Sequence, residues 1–291
     1  MKNFFENAEL RRKIKKSAYN FFTEEEFSEF DTPILVPLQG EIYNSCFKLD
    51  NNLMLADSPQ VFKQYLMFKG VKRYFQFAHC FRPVQELNSP GNIKLPEFMQ
   101  IDAEISDVNS VDELIGFAEK LLRRICDECG KSLTTEVISG KKCREEYGND
   151  FKPLIKSEKD DELKTIIIKH MPIYSGEKTA AGTFVPCHHI FALPILGEND
   201  LPISDFGNLN SAEKENYLEN ILTESFDIVI NGIEVGGGDL RINDRKLQEE
   251  VMDIFSVRKE LYDDYLAELE SYSGKNGGFA FGLERLMCCI L

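Results

Sequence analysis

The sequence predicts an α/β domain of the α+β kind, built on a mostly antiparallel sheet with helices packed against it. Three observations predict this. Strand-like runs cluster at 73–106 and again at 187–286, with helical periodicity before, between and after them. Two consecutive runs, RYFQFAHCFR and EFMQIDAEIS, are joined by the loop PVQELNSPGNIKLP, so the second strand returns antiparallel to the first. No repeat, low-complexity tract or linker-like break divides the 291 residues, which length alone would allow to form one large domain or two ordinary ones.

Taken in order, residues 7–22 (NAELRRKIKKSAYNFF) carry apolar positions at helical spacing with basic residues between them. An extended segment, FSEFDTPILVPLQ, follows. Pro33 fixes its own φ and biases Thr32 toward extended geometry. Residues 53–57 form a short strand. SPQVFKQYLMFKG is a helix with Ser58 as N-cap, Pro59 in the first helical position and Gly70 at the C-cap. Residues 110–129 form an amphipathic helix, 130–185 carry little pattern, and 244–270 read as one long helix. CHHIFALPI, SFDIVINGIEVGGGDLRI and GGFAFGLERL supply the later strand-like runs.

Composition narrows the function classes. The chain is 43% hydrophobic and 29% charged, which suits a packed core. No run of about 18 uncharged apolar residues reads as a membrane span, and the N-terminus has no apolar core or cleavage site of a secretory signal. The eight cysteines follow no framework spacing, so they read as reduced thiols of a cytoplasmic protein. Cys126 and Cys129 lie three apart at a helix end, and no second such pair follows to complete a zinc site. A formal net charge of −15 argues against an extensive nucleic-acid footprint and against DNA as a partner.

Four patches carry chemistry. Arg82 ends the first strand of the 73–106 hairpin, where a guanidinium can fork onto a phosphate oxygen and a carboxylate. Phe98, on the return strand, can stack on adenine. Arg285, at the start of the helix in GGFAFGLERL, can lie over the adenine and reach the γ-phosphate. Asp227 and Glu234 flank a strand and bring two carboxylates to one place, the ligand type that Mg²⁺ takes beside nucleotide phosphates. The glycines of GGG permit close backbone approach, but no parallel β-α-β pattern makes them a dinucleotide loop. Structural readings compete with each of these. They are a surface hairpin with an exposed arginine, a solvated strand edge for Asp227 and Glu234, and a C-terminal strand-helix unit with a solvated Arg285.

In this order the patches resemble motifs 1, 2 and 3 of class II aminoacyl-tRNA synthetases. FSEFDTPIL corresponds to motif 1, FQFAHCFR with LPEFMQIDAEIS to motif 2, and GGFAFGLERL to motif 3. Within that class, SPQVFKQYLMFKGVKRYFQFAHCFR resembles the aspartyl enzymes of the aspartate, asparagine and lysine subgroup. The resemblance implies a homodimer with Pro33 at its interface, ATP and Mg²⁺ as cofactors, and L-aspartate as substrate. It implies substrate contacts from Gln60 and Lys63, a side-chain carboxylate clamp of Lys63 and Arg241, an acid near the ammonium at Asp102, and a histidine at His188. Asp102 as a core carboxylate, and His188 with His189 as an ordinary strand pair, are the competing readings. Glu41 falls near a glutamate of a substrate-covering loop.

The resemblance also has departures. The loop after Arg82 reads Pro83-Val84, where the family has an acidic pair; Glu86 is the substitute on offer, and Lys94 is the loop's basic residue. The chain is expected to be a single catalytic domain without an anticodon-binding domain or a bacterial-type insertion. The reaction implied is adenylation of the α-carboxylate, with pyrophosphate leaving and the acyl group passing to tRNA or another acceptor. Two alternatives stand beside it. One is an amide-forming ligase of the asparagine-synthetase kind, using ammonia and activating the side-chain carboxylate. The other is a catalytically silent regulatory paralogue.

Overall fold

The computed structural model describes residues 2–37, 46–84, 93–148, 151, 153–154, 159, 161–197 and 201–291. Its strands are β1 (Ser28–Glu29), β2 (Leu35–Pro37), β3 (Leu53–Leu55), β4 (Arg73–Phe81), β5 (Glu97–Ser106), β6 (Ser132–Ser139), β7 (Glu162–Lys169), β8 (Tyr174–Lys178), β9 (Phe184–Pro186), β10 (Pro194–Ile195), β11 (Leu222–Thr223), β12 (Ser225–Ile230), β13 (Ile233–Leu240) and β14 (Asn276–Gly282). The helices are α1 (Lys2–Glu24), α2 (Gln60–Phe68), α3 (Val111–Glu128), α4 (Gly140–Tyr147), α5 (Ser211–Asn220), α6 (Arg245–Ile254), α7 (Asp263–Ser271) and α8 (Leu283–Ile290).

Eight strands form the main sheet in the order β1-β4-β5-β14-β13-β12-β7-β6. The six from β4 to β7 are antiparallel neighbours, while β1 and β6 add to the two edges in parallel. The mostly antiparallel sheet read from the sequence is therefore present. The edge strand β6 and its neighbour β7 come from the stretch that carried little pattern. Ile166, Ile167 and Ile168 of β7 are all buried, so that strand is covered on both faces and shows no alternation.

Directly opposed residues of antiparallel strands project to the same face, so the register sorts the side chains. Phe75, Ala103, Phe279 and Phe226 lie on one face and pack into the apolar core with Ile14, Ala18 and Phe22 of α1, Leu114, Ala118 and Leu121 of α3, and Leu286 of α8. Ser110 caps α3, accepting the Glu113 N–H, and the buried positions 111, 114, 115, 118, 121, 122 and 125 recur at helical spacing.

Three local readings are corrected. The 244–270 helix is two helices, α6 and α7, separated by a 3₁₀ turn; Ser256 takes a left-handed φ of 55°, which an α-helix cannot continue. In the CHHIFALPI run only Pro194 and Ile195 form a strand, β10; the residues before them are bends and turns, with Ala192 making an isolated bridge to Arg241. The N-cap of α2 is Pro59 rather than Ser58, one residue later than predicted, while Gly70 does end the helix with φ 92°.

Candidate active site

The other face of the sheet is built by two rows of opposed residues. One row runs Tyr74, Glu104, Gly278, Asp239, Ser225 across β4, β5, β14, β13 and β12. The next runs Gln76, Asp102, Ala280, Gly237, Asp227 over the same strands. In both rows the middle of the sheet has tiny side chains and carboxylates flank it. The result is a cavity of about 490 Å³ above a floor of glycine and alanine.

The glycines are required by the neighbours as well as by any ligand. A Cβ on Gly237 would sit 2.6 Å from the Phe226 carbonyl and 2.7 Å from Asp227 Oδ1. A Cβ on Gly278 would fall on Glu104 Oε2 and lie 2.8 Å from Arg241 Nη2. Gly278 thus makes room for an ion pair between strands.

Every cavity-lining residue among the sequence-predicted set comes together here. Gln60, Lys63, Arg82, Phe98, Asp102, His188, Asp227, Glu234, Arg241 and Arg285 all line the one cavity. Val84 and Lys94 line it too. Pro33 does not; it lies exposed between β1 and β2. Glu41 and Glu86 fall outside the described residues.

The more open part of the cavity holds the arginines. Arg82 donates from Nε to the Asp57 carbonyl at 3.2 Å, and its guanidinium lies over the Phe98 ring, 5.2 Å from the centroid. Arg285 donates from Nη1 to the Glu234 carbonyl at 2.9 Å and from Nε to the Ile93 carbonyl at 3.2 Å. Its neighbour Glu284 accepts from the Met99 N–H at 2.9 Å and from Arg11 of α1 at 2.8 Å, which ties α8 to β5 and α1. Asp227 and Glu234 are not two ends of one strand: they stand on the adjacent strands β12 and β13. Among the described residues no group of three or more His, Cys, Asp or Glu is arranged to hold a metal. Asp227 and Glu234 nonetheless line the same cavity, and Mg²⁺ needs few carboxylates, since it keeps most of its shell from waters and phosphate oxygens.

The closed part is a buried ion network. Lys63 Nζ lies 2.9 Å from Asp102 Oδ2 and 3.3 Å from Glu104 Oε2. Arg241 holds Glu104 with two hydrogen bonds of 2.8 and 2.7 Å and donates a third to Asp239. All five groups are 3% exposed or less. Burial raises the Asp102 carboxyl despite Lys63. Burial acts the same way on Glu104, but Arg241 and Lys63 outweigh it and hold that carboxyl below the ordinary range. Asp239 is likewise held well below it, by Arg241 and the two histidines against burial.

His188 spans two carboxylates: Nε2 is 2.9 Å from Asp227 Oδ1 and Nδ1 is 3.7 Å from Asp239 Oδ2. Burial opposes its charge, yet Asp227 and Asp239 overcome this and push it up to about 10. Burial wins at His189, whose pKa is lowered. Its Nδ1 accepts the Phe191 N–H at 3.3 Å, and its Nε2 lies 3.0 Å from both Asp239 Oδ2 and Arg241 Nη1.

Three buried atoms of cavity-lining residues make no hydrogen bond: Gln60 Nε2, a donor, Asp102 Oδ1, an acceptor, and His188 Nε2, which is paired in charge with Asp227. Sequence reasoning missed Glu104, Asp239, His189 and Gly278. Alternation along EFMQIDAEIS places Glu104 on the face of Asp102, and that signal could have found it. Nothing local marks Asp239 or Gly278, whose role comes from pairing across three strands.

The full length of the chain, residues 1–291, matches the family described as tRNA synthetases class II (D, K and N). It is 26% identical to the aspartate–tRNA ligase of Fervidobacterium nodosum, an alignment covering 96% of this chain and 68% of that protein. It is 25% identical to the aspartate–tRNA(Asp/Asn) ligase of Aquifex aeolicus, covering 100% of this chain and 69% of the relative. Among solved structures it is similar to asparaginyl-tRNA synthetase of Pyrococcus horikoshii complexed with asparaginyl-adenylate, with a TM-score of 0.72 at 14% identity over 98% of this chain and 65% of the other. The corresponding Entamoeba histolytica complex gives 0.69 at 15% identity over 100% and 64%. The chain thus spans about two thirds of the length of the proteins it matches.

Proposed function

Because this chain belongs to the class II tRNA synthetases of the D, K and N family, we propose that it activates an amino acid's carboxylate with ATP, forming an acyl-adenylate and releasing pyrophosphate. The observation that carries this is one cavity that holds both halves of the recognition. Arg82, Phe98 and Arg285 suit a nucleotide triphosphate, and the partnerless Gln60 Nε2 and Asp102 Oδ1 suit a carboxylate and an ammonium.

The chemistry follows from positioning and charge. An oxygen of the amino acid's carboxylate attacks the α-phosphorus, the bond to the bridging oxygen breaks, and pyrophosphate leaves. No side-chain nucleophile is required. Arg82, held by the Asp57 carbonyl and the Phe98 face, is placed to neutralise the developing charge on the α-phosphate and the attacking carboxylate. Arg285, fixed by the Glu234 and Ile93 carbonyls, does so for the departing phosphates. Asp227 and Glu234 would hold Mg²⁺, which supplies further neutralisation of the triphosphate when bound.

The named relatives and the resemblance of the SPQVFKQ segment support L-aspartate as the substrate, and tRNA as the acyl acceptor. A second reading is an amide-forming ligase that passes the acyl group to ammonia. The Asp239–Arg241 pair is compatible with it, because an acceptor beside a donor can hold the α-ammonium and α-carboxylate of aspartate and leave the side-chain carboxylate at Arg82. Retention of Arg82, Phe98, Asp227, Glu234 and Arg285 around one cavity supports an enzyme over a silent paralogue.

Amino-acid-dependent ATP–pyrophosphate exchange tests the reading. Exchange is expected with aspartate or asparagine, and Arg82→Ala and Arg285→Ala should each lower its rate by about 10²–10³-fold, the loss typical of one preorganised charge-stabilising group. No exchange with aspartate, asparagine or lysine would refute adenylation.

A further inference from the structure

The Lys63–Arg241 clamp expected for a side-chain carboxylate is not free. Arg241 has five N–H donors; two are taken by Glu104, one by Asp239, and Nη1 also lies 3.0 Å from His189 Nε2. Lys63 is shared between Asp102 and Glu104. The nearest histidines do not restore a positive excess. His189 is neutral by its hydrogen bonding, and His188, shared between Asp227 and Asp239, brings its one positive charge together with a further carboxylate. The closed end of the cavity therefore sets two fixed cations against three carboxylates, Asp102, Glu104 and Asp239. A lone carboxylate entering there would meet Asp239 with no counter-charge left, a costly arrangement in a site this buried.

What the wall does offer is an alternation. Arg241 retains one Nη2 N–H for an oxygen, and Asp239, 1% exposed and lining the same cavity, stands beside it as an acceptor. We propose that Asp239 is a specificity-determining residue that makes this end of the pocket read a group of no net charge, carrying an acceptor oxygen for Arg241 and a donor nitrogen for Asp239. Two sources share that chemistry. One is the carboxamide of asparagine, with its α-carboxylate at Arg82. The other is the α-carboxylate and α-ammonium of aspartate, with its side-chain carboxylate at Arg82. In either case the carboxylate at Arg82 forms the bond to the α-phosphorus and pyrophosphate departs. The proposal rests on the reading that this cavity binds an amino acid for adenylation.

Hydroxylamine trapping separates the sources. Its nitrogen attacks the activated acyl carbon, AMP leaves, and the hydroxamate records which carboxylate was activated. With the full chain, ATP and Mg²⁺, asparagine should give the α-hydroxamate if the carboxamide is the bound group. Aspartate should give the β-hydroxamate if the head group is. The α-hydroxamate of aspartate should be at least tenfold less abundant than either. Asp239→Ser, and the more conservative Asp239→Asn, should raise KM for the preferred amino acid at least tenfold and shift the product ratio toward the α-hydroxamate of aspartate. Wild-type protein that makes mainly that α-hydroxamate, with KM for aspartate unchanged in both variants, overturns the proposal. Titration calorimetry with asparagine, aspartate and succinate, without ATP, tests binding apart from catalysis. Asparagine or aspartate should bind and succinate, which has no nitrogen, should not. Loss of the binder's affinity in Asp239→Asn supports the proposal even if exchange is absent and adenylation is thereby refuted. Equal affinities in wild type and variant overturn it.

Discussion

His188 shows how far a neighbour's charge can move a side chain. Its folded-state value is about 10 against an ordinary 6.5, because Asp227 and Asp239 face it across distances of 2.9 and 3.7 Å. A group whose pKa is raised by folding stabilises the native state fully below its unfolded value, and this contribution disappears as pH rises through the folded value. In metal-free buffer, unfolding free energy from urea titrations should therefore fall between about pH 6.5 and 10, and His188→Gln should flatten that decline. An equally steep decline in the variant would place its cause elsewhere. The position of His188 was read from its sequence resemblance. Its charge was not, because that depends on Asp227 and Asp239, 39 and 51 residues further along the chain.

At the scale of elements, the sheet's glycines divide by what surrounds them. Gly278 sits between Glu104 and Asp239 in the strand register, and a methyl there would collide with the Glu104 carboxylate and the Ala103 carbonyl. Gly278→Ala should cost about 1–3 kcal/mol, the range for overpacking a close-fitted interior. Gly116, inside α3, has open space around it, so Gly116→Ala should add about 0.5–1 kcal/mol by helix propensity. Urea midpoints for the two variants should move in opposite directions; movement in the same direction would refute this division. Element reading succeeded where polar and apolar side chains alternate, as in β5, which spans the predicted 97–106 although both of its faces are buried at 101–105. It failed on β7, buried on both faces, and at Ser256, where a single left-handed residue splits a helical pattern.

At the scale of the molecule, the segment around Pro33 leaves Phe30, Ile34 and Leu35 between 36 and 51% exposed. That apolar surface supports the dimer expected there, since an isologous interface needs a patch that can bury itself against its own copy. Sedimentation equilibrium at micromolar concentration should give twice the 33.4 kDa chain mass, and Leu35→Asp should give the monomer. Wild-type protein that runs as a monomer would count against the interface. No helix among the described residues is long and apolar enough to cross a membrane. The sequence by itself determined the antiparallel sheet and the order of its motifs, because periodicity and local motif chemistry are written in neighbouring residues, and its resemblance to the class II synthetases pointed to ten side chains that line one cavity. Only the tertiary structure decided the charge of that cavity. Glu104 on β5 lies 137 residues before Arg241, which follows Asp239 at the end of β13, and only their pairing across Gly278 shows that the expected cationic clamp is already neutralised.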